Sequence, residues 1–154
     1  MNRIEKVREY VDSVLLSIED PFVKRCAYLH LYGVSQACTM IALKRNENVE
    51  LATIAGMLHD IFTYEMNDSK NHAHKGSILA KDILNSLSIF DKDEIDIICE
   101  AIHNHSDKLK THSSFSEVLI DADVMQHCFY NPFYEVAEHE KIRFEKLKLE
   151  FCLN

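Results

Sequence analysis

Apolar residues recur at three- and four-residue steps from the start of the chain. Ile4, Val7, Val11, Val14, Leu15 and Ile18 share one face of a 3.6-residue period, which predicts an amphipathic helix over residues 3–19. Asp20-Pro21 then supplies an N-cap and a first helical residue for a second helix, 21–45. Its broad apolar face carries Val23, Cys26, Ala27, His30, Val34, Ala37, Met40 and Ile41. Asn46-Glu47-Asn48 interrupts the pattern, and the apolar run Leu51 to Leu58 opens a third helix over 49–63. A polar loop, 64–71, leads to a fourth helix, 72–88. Asp91-Lys92-Asp93-Glu94 resembles a capping box before a fifth, 92–105. After the loop Ser106 to Ser114, a sixth covers 116–129, and Asn131-Pro132 restarts the chain as a C-terminal helix over 132–152. No segment alternates at period two, so the expectation is an all-α bundle of six to seven helices.

Composition narrows this picture. Three glycines and two prolines leave few breaks, which favours long helices and short connections in one domain, 1–154. Apolar residues make up 47% of the chain, enough for a core, yet no apolar run reaches eighteen residues, so no membrane partner is expected. The charged start, Met1-Asn2-Arg3-Ile4-Glu5-Lys6, lacks a signal-peptide apolar segment and points to the cytoplasm. A net charge of -8 argues against nucleic-acid binding, which needs a basic surface. A small anionic substrate remains compatible, because a metal ion can supply local positive charge. Cys26, Cys38, Cys99, Cys128 and Cys152 form no CxxC pair and read as reduced thiols among apolar residues. Apolar positions on the first and last helices would suit a homodimer.

Nine histidines bring in candidate chemistry. His59-Asp60 closes the run Leu51 to Leu58, and neighbours on a helix point about 100° apart, so both can grip an ion lying against the helix side. Further ligands must come from other helices. His30 is one candidate, with Gly33 a turn on, where a missing side chain would let another backbone approach. Asp123 is another. Two His and two Asp neutralise a divalent ion and leave positions open for water and substrate. His72 opens the fourth helix and His105 closes the fifth. If both fall near Asp60, its carboxylate can bridge two ions about 3.5–4 Å apart. One ion would lower the pKa of a bound water, whose hydroxide attacks phosphorus, while the other neutralises phosphoryl oxygens. The plainer alternatives are core histidines and helix caps at Asp121 or Asp123. Against them, a buried charged Asp needs a partner, and both acids lie beside apolar runs.

The run His30-Leu-Tyr-Gly33-Val34, then Leu51-Ala-Thr-Ile-Ala-Gly-Met-Leu-His59-Asp60-Ile61, then Ile120-Asp121-Ala122-Asp123, resembles the HD-domain superfamily of metal-dependent phosphohydrolases, whose pattern is H…HD…D. The resemblance covers about residues 22–130. It implies a helical fold with a central metal cleft, and His30, His59, Asp60 and Asp123 as ligands. In Asn71-His72-Ala73-His74-Lys75-Gly76, His72 matches the extra histidine of di-metal members, with His74 the fallback. His105 matches their next histidine, with His103 the fallback. One or two divalent ions are implied (Fe, Mn, Zn, Ni, Co or Mg), acting on a small phosphorylated, nucleotide-like molecule. The sequence departs from many members after the dyad, where Ile61-Phe62-Thr63-Tyr64 stands without the phosphate-holding lysine.

Arg25 resembles a phosphate-contacting arginine of nucleotidase members; Lys75, Lys108 and Lys110 are further cations for which a solvated position is expected. His127 lies one turn beyond Asp123 and can line the cleft, act as a general acid, or hydrogen-bond Asp123. Asp60, Asp121, His127 and Arg25 form the catalytic expectation, with Asp121 and His127 tuning the ligands. His112, in a polar loop beside lysines, is read as surface, with a place at the mouth the alternative, and His139 is read as surface. Tyr64, Phe129 and Tyr130 are aromatics near the cleft, better read as packing than as base-stacking. Two other functions fit the same residues: a mixed-valence di-iron oxygenase, and a non-catalytic ligand-binding module.

Overall fold

Capping residues set most of the helix boundaries in the computed structural model, which describes residues 2–153. Among them are eight helices: α1 (Arg3–Ser17), α2 (Pro21–Arg45), α3 (Val49–Leu58), α4 (Ile61–Met66), α5 (His72–Leu87), α6 (Lys92–Asn104), α7 (Ser114–Tyr130) and α8 (Lys141–Glu150). Asp20 accepts from the backbone N–H of Phe22 and Val23, which starts α2 behind Pro21. Asn46, left-handed at φ 57°, ends it. Asn48 caps α3. Asp91 and Glu94 form the reciprocal capping box of α6.

Two elements differ from the sequence reading. The helix expected over 49–63 is broken at His59-Asp60, where Asp60 takes φ -114° and ψ 12°, so α3 and α4 are separate. That bridge region is sparsely populated and recurs in turns and at functional residues. The C-terminal helix expected over 132–152 spans only Lys141–Glu150; residues 131–140 form turns and irregular chain. Pro132 fixes its own φ but cannot start a helix without capped residues and an apolar face behind it, and Phe133 is left 94% exposed.

α3 is the hub: Leu51 to Leu58 are all buried, with α2, α6, α1 and α7 packed around them. α2 also packs along α7, and α5 along α6. The α2–α3 crossing is close because Gly56 has no side chain. A Cβ there would meet Ser35 Cα at 2.6 Å. α7 is buried from Val118 to Met125, so Asp121 and Asp123 enter the interior on its backbone. Among the described residues no helix is long and apolar enough to cross a membrane.

Candidate metal centre

Five chain segments bring six candidate ligands together around Asp60. His30 comes from the middle of α2, His59 and Asp60 from the α3–α4 turn, His72 from the first residue of α5, His105 from the end of α6, and Asp123 from α7. The two oxygens of Asp60 face different imidazoles. Oδ2 lies 3.3 Å from His30 Nε2 and 3.6 Å from His59 Nε2. Oδ1 lies 3.3 Å from His105 Nε2 and 3.5 Å from His72 Nε2. Asp123 Oδ1 joins the first group, 3.7 Å from His30 Nε2 and 3.8 Å from His59 Nε2.

The ring orientations are set from behind. His59 Nδ1 meets the Gly56 carbonyl at 2.8 Å, and His105 Nδ1 meets the Ile102 carbonyl at 2.6 Å. His72 Nδ1 meets the Ser69 carbonyl at 3.1 Å, and His30 Nδ1 meets Gln126 Oε1 at 2.8 Å. A carbonyl oxygen only accepts, so each Nδ1 carries the proton and each Nε2 presents its lone pair. Those lone pairs then face one another: His30 and His59 Nε2 are 3.0 Å apart, His72 and His105 Nε2 3.1 Å. Facing acceptors repel unless a cation lies between them. Asp60 Oδ1 and Asp123 Oδ1 are likewise buried without a hydrogen-bond donor. This donor set, imidazole and carboxylate with the back nitrogens tied, fits a divalent cation on each side of Asp60.

The electrostatics show carboxylates that draw positive charge, a proton or a metal ion, into the cluster. Burial pushes the pKa of His59 down to about 4 despite Asp60, so its ring is neutral near pH 7. Burial also opposes charge on His30 and His105, but Asp60 and Asp123 outweigh it and raise both. Asp123 is buried, yet Lys108 and the histidines hold its carboxyl well below the usual range.

Lys108 is the main surprise. It was expected in solvent, but its side chain is 8% exposed, and Nζ sits 2.8 Å from Asp123 Oδ2 and against Glu140. Glu140 also accepts from His127 Nδ1 at 2.9 Å, while His127 Nε2 lies 3.3 Å from Asp123 Oδ1. Glu140, buried in the turn before α8, carried no signal in the sequence. Gln126 did carry one: with Asp123 and His127 it follows the i, i+3, i+4 pattern of one helix face. Gly33 makes room for it, but for a side chain and not a backbone, since a Cβ there would meet Gln126 Cγ at 2.8 Å.

Other expected residues lie apart. Asp121 is gripped by Arg45 at 2.7 Å and Arg143 at 2.9 Å, on the α8 side of α7, and pairs with these arginines rather than with a ligand residue. Arg25 is exposed, its guanidinium 5.1 Å from the Phe22 ring centroid. His74 and His103 face each other on the exposed side of α5 and α6, Nδ1 to Nδ1 3.4 Å, outside the cluster. Lys75 pairs with Asp68 and Lys110 with Asp107. His112 is a partly buried loop residue near Asp107 and Glu117, and His139 is largely exposed. Tyr64 packs against the core, and Phe129 packs edge-on against Phe144.

The HD domain family model matches residues 27–147. The fold is similar to the crystal structure of a predicted HD superfamily hydrolase from an uncultured Thermotogales bacterium, with a TM-score of 0.64 and 21% identity over 96% of this chain and 88% of that one. No curated protein matches the chain. Members of the matching family bind divalent metals, and the cluster around Asp60 offers His and Asp groups that could hold one. The match spans most of the chain, from α2 past the His59-Asp60 turn into α8, and the chain belongs to the HD domain family.

Proposed function

We propose that the protein is a metal-dependent phosphohydrolase acting on a phosphoester or phosphoanhydride of a small, nucleotide-like molecule. The observation that carries this reading is the two-sided carboxylate of Asp60, with a facing Nε2 pair 3.0 Å apart on one side and another 3.1 Å apart on the other. His30, His59, Asp60 and Asp123 would hold one ion; His72, His105 and Asp60 would hold a second. Bound there, divalent ions supply Lewis acidity, a lowered water pKa and charge to receive phosphoryl oxygens.

The chain's own residues do the positioning. The carbonyls of Gly56, Ile102 and Ser69 fix which imidazole nitrogen faces inward. Lys108 holds Asp123 Oδ2, which leaves Oδ1 directed at the cluster. Solvent reaches the centre along His72 and His127, whose side chains are 30% and 43% exposed, so substrate approach is expected on that rim.

The test is elemental analysis of the purified protein, followed by phosphate-release screens of nucleotides and small phosphoesters with Mn, Fe, Co, Ni, Zn or Mg added. Turnover lost in His59→Ala and Asp60→Asn, and retained without oxygen, is the expected result. Tight metal binding with no phosphate released from any substrate would overturn the reading; product formed only with oxygen would favour oxygenase chemistry instead.

A further inference from the structure

His127 stands outside the H…HD…D set and the extra histidines, yet its surroundings are those of a ligand. Glu140 accepts from Nδ1 at 2.9 Å, which fixes the tautomer and leaves the Nε2 lone pair free. That nitrogen points at Asp123 Oδ1, 3.3 Å away, a buried oxygen with no hydrogen-bond donor. The His127 ring lies parallel to His30, interplanar angle 11° and centroids 5.3 Å apart. One nitrogen of His30, one of His127 and an oxygen of Asp123 lie within 4.8 Å of one another. Two acceptors 3.3 Å apart, each held from behind by a charged partner, are arranged to share a cation.

Resting on the metal-centre reading above, we propose that His127 is a further metal ligand, donating Nε2 on the Asp123 side of the cluster, with Glu140 as its positioning residue. Lys108 balances the arrangement. Its ammonium sits between Glu140 and Asp123, so the two carboxylates approach without bare repulsion and Asp123 turns only Oδ1 to the ion. An added imidazole favours late first-row ions such as Co, Ni and Zn over Mg. The ligand shell is thereby completed by the turn before α8, beyond the last family aspartate in the chain.

Cobalt(II) is the probe, because its visible absorption reports ligand type and number without any turnover. The full-length protein is titrated with cobalt(II), its affinity measured by competition with a chelator, and its histidine ligands counted by X-ray absorption. In His127→Ala the spectrum changes, one imidazole is lost and affinity falls about 10- to 100-fold. Glu140→Gln, which keeps the shape, lowers affinity about tenfold and His127→Gln behaves like the alanine variant, with helical circular dichroism unchanged in all three. Unchanged spectra and affinity in His127→Ala and Glu140→Gln, while His59→Ala abolishes binding, would overturn the inference and leave the metal centre standing. No cobalt bound by the parent protein would overturn both.

Discussion

Replacing Gly56 with alanine should part His30 from His59 in the metal centre. The new Cβ would lie 2.6 Å from Ser35 Cα, 2.9 Å from Ser35 N and 3.1 Å from Cys38 Sγ. Two of these atoms are backbone, so no side chain can swing aside. Ordinary contact begins near 3.4 Å, and α2 and α3 must therefore part by about 0.8 Å at their crossing. Overpacking of this kind costs about 1–3 kcal/mol. Alanine recovers about 0.8–1.0 kcal/mol of helix propensity. The net loss is about 0–2 kcal/mol, or up to about 8 °C in Tm for a chain of this size. The functional loss is larger in proportion, because α2 carries His30 and α3 leads to His59, whose Nε2 atoms are 3.0 Å apart. Ligand positions tolerate a few tenths of an ångström, so metal affinity should fall at least about tenfold. Gly33→Ala is the contrast. Its Cβ would strike only the flexible Gln126 side chain, so stability should change by under about 1 kcal/mol, while His30 loses its Nδ1 partner and affinity still drops. Urea unfolding with a common m-value and chelator competition measure the two quantities. A Gly56→Ala protein as stable and as metal-avid as the parent would refute the claim that this crossing sets the ligand spacing.

Asp121→Asn should cost roughly 1–3 kcal/mol by stripping charge from between Arg45 and Arg143, yet leave metal content unchanged; a fall in metal content would place Asp121 at the centre after all. Arg3 holds the carboxyls of Glu50 and Glu94 below their ordinary value of 4.5, so the stability it adds is present above that pH and fades as pH drops through the lower folded values. The Tm gap between parent and Arg3→Ala should accordingly be open at pH 7 and close in acid, and a gap that widens in acid would reverse the assignment. Chelation should lower Tm, with about 4 kcal/mol recovered when a tightly bound ion is restored to about a thousand times its Kd. Equal melting curves with and without metal would mean that the facing nitrogens are satisfied some other way.

Most helices were legible because their signals are local. Asp20-Pro21, Asn46 and the Asp91–Glu94 box act within one turn, and the period of Val7, Val11, Val14 and Leu15 needs no partner to be read. The break at His59-Asp60 is not local. Apolar residues continue through Ile61 and Phe62, and only the demand that His59 and Asp60 aim at α2, α6 and α7 together turns the chain there. Lys108 shows the same limit from the other side. A lysine among Ser106, Asp107 and Lys110 reads as solvated, and its burial depends on Asp123 and Glu140, brought to it by two later segments. The separate facing of Asp121 is the feature the sequence could have shown. Residues i and i+2 of a helix point about 200° apart, so Asp121 and Asp123 leave α7 in different directions.

α7 is therefore a helix with two charged faces, and the C-terminal segment fastens to both. Arg143 of α8 reaches Asp121 on one side, and Glu140, just before α8, reaches His127 and Lys108 on the other. This arrangement bears on how a chain of net charge -8 could receive an anion. Near the centre, Asp60, Asp123 and Glu140 bring three negative charges and Lys108 one positive. One divalent ion cancels the remainder and gives a neutral site with no pull on a phosphate. A second ion at His72 and His105 would leave the site positive inside an acidic protein and would confine anion binding to the place where the ions are. A centre holding a single ion would be left to attract an anion by open coordination positions alone, so under the proposed function the histidine pair between α5 and α6 is the part of the centre that would draw an anionic substrate.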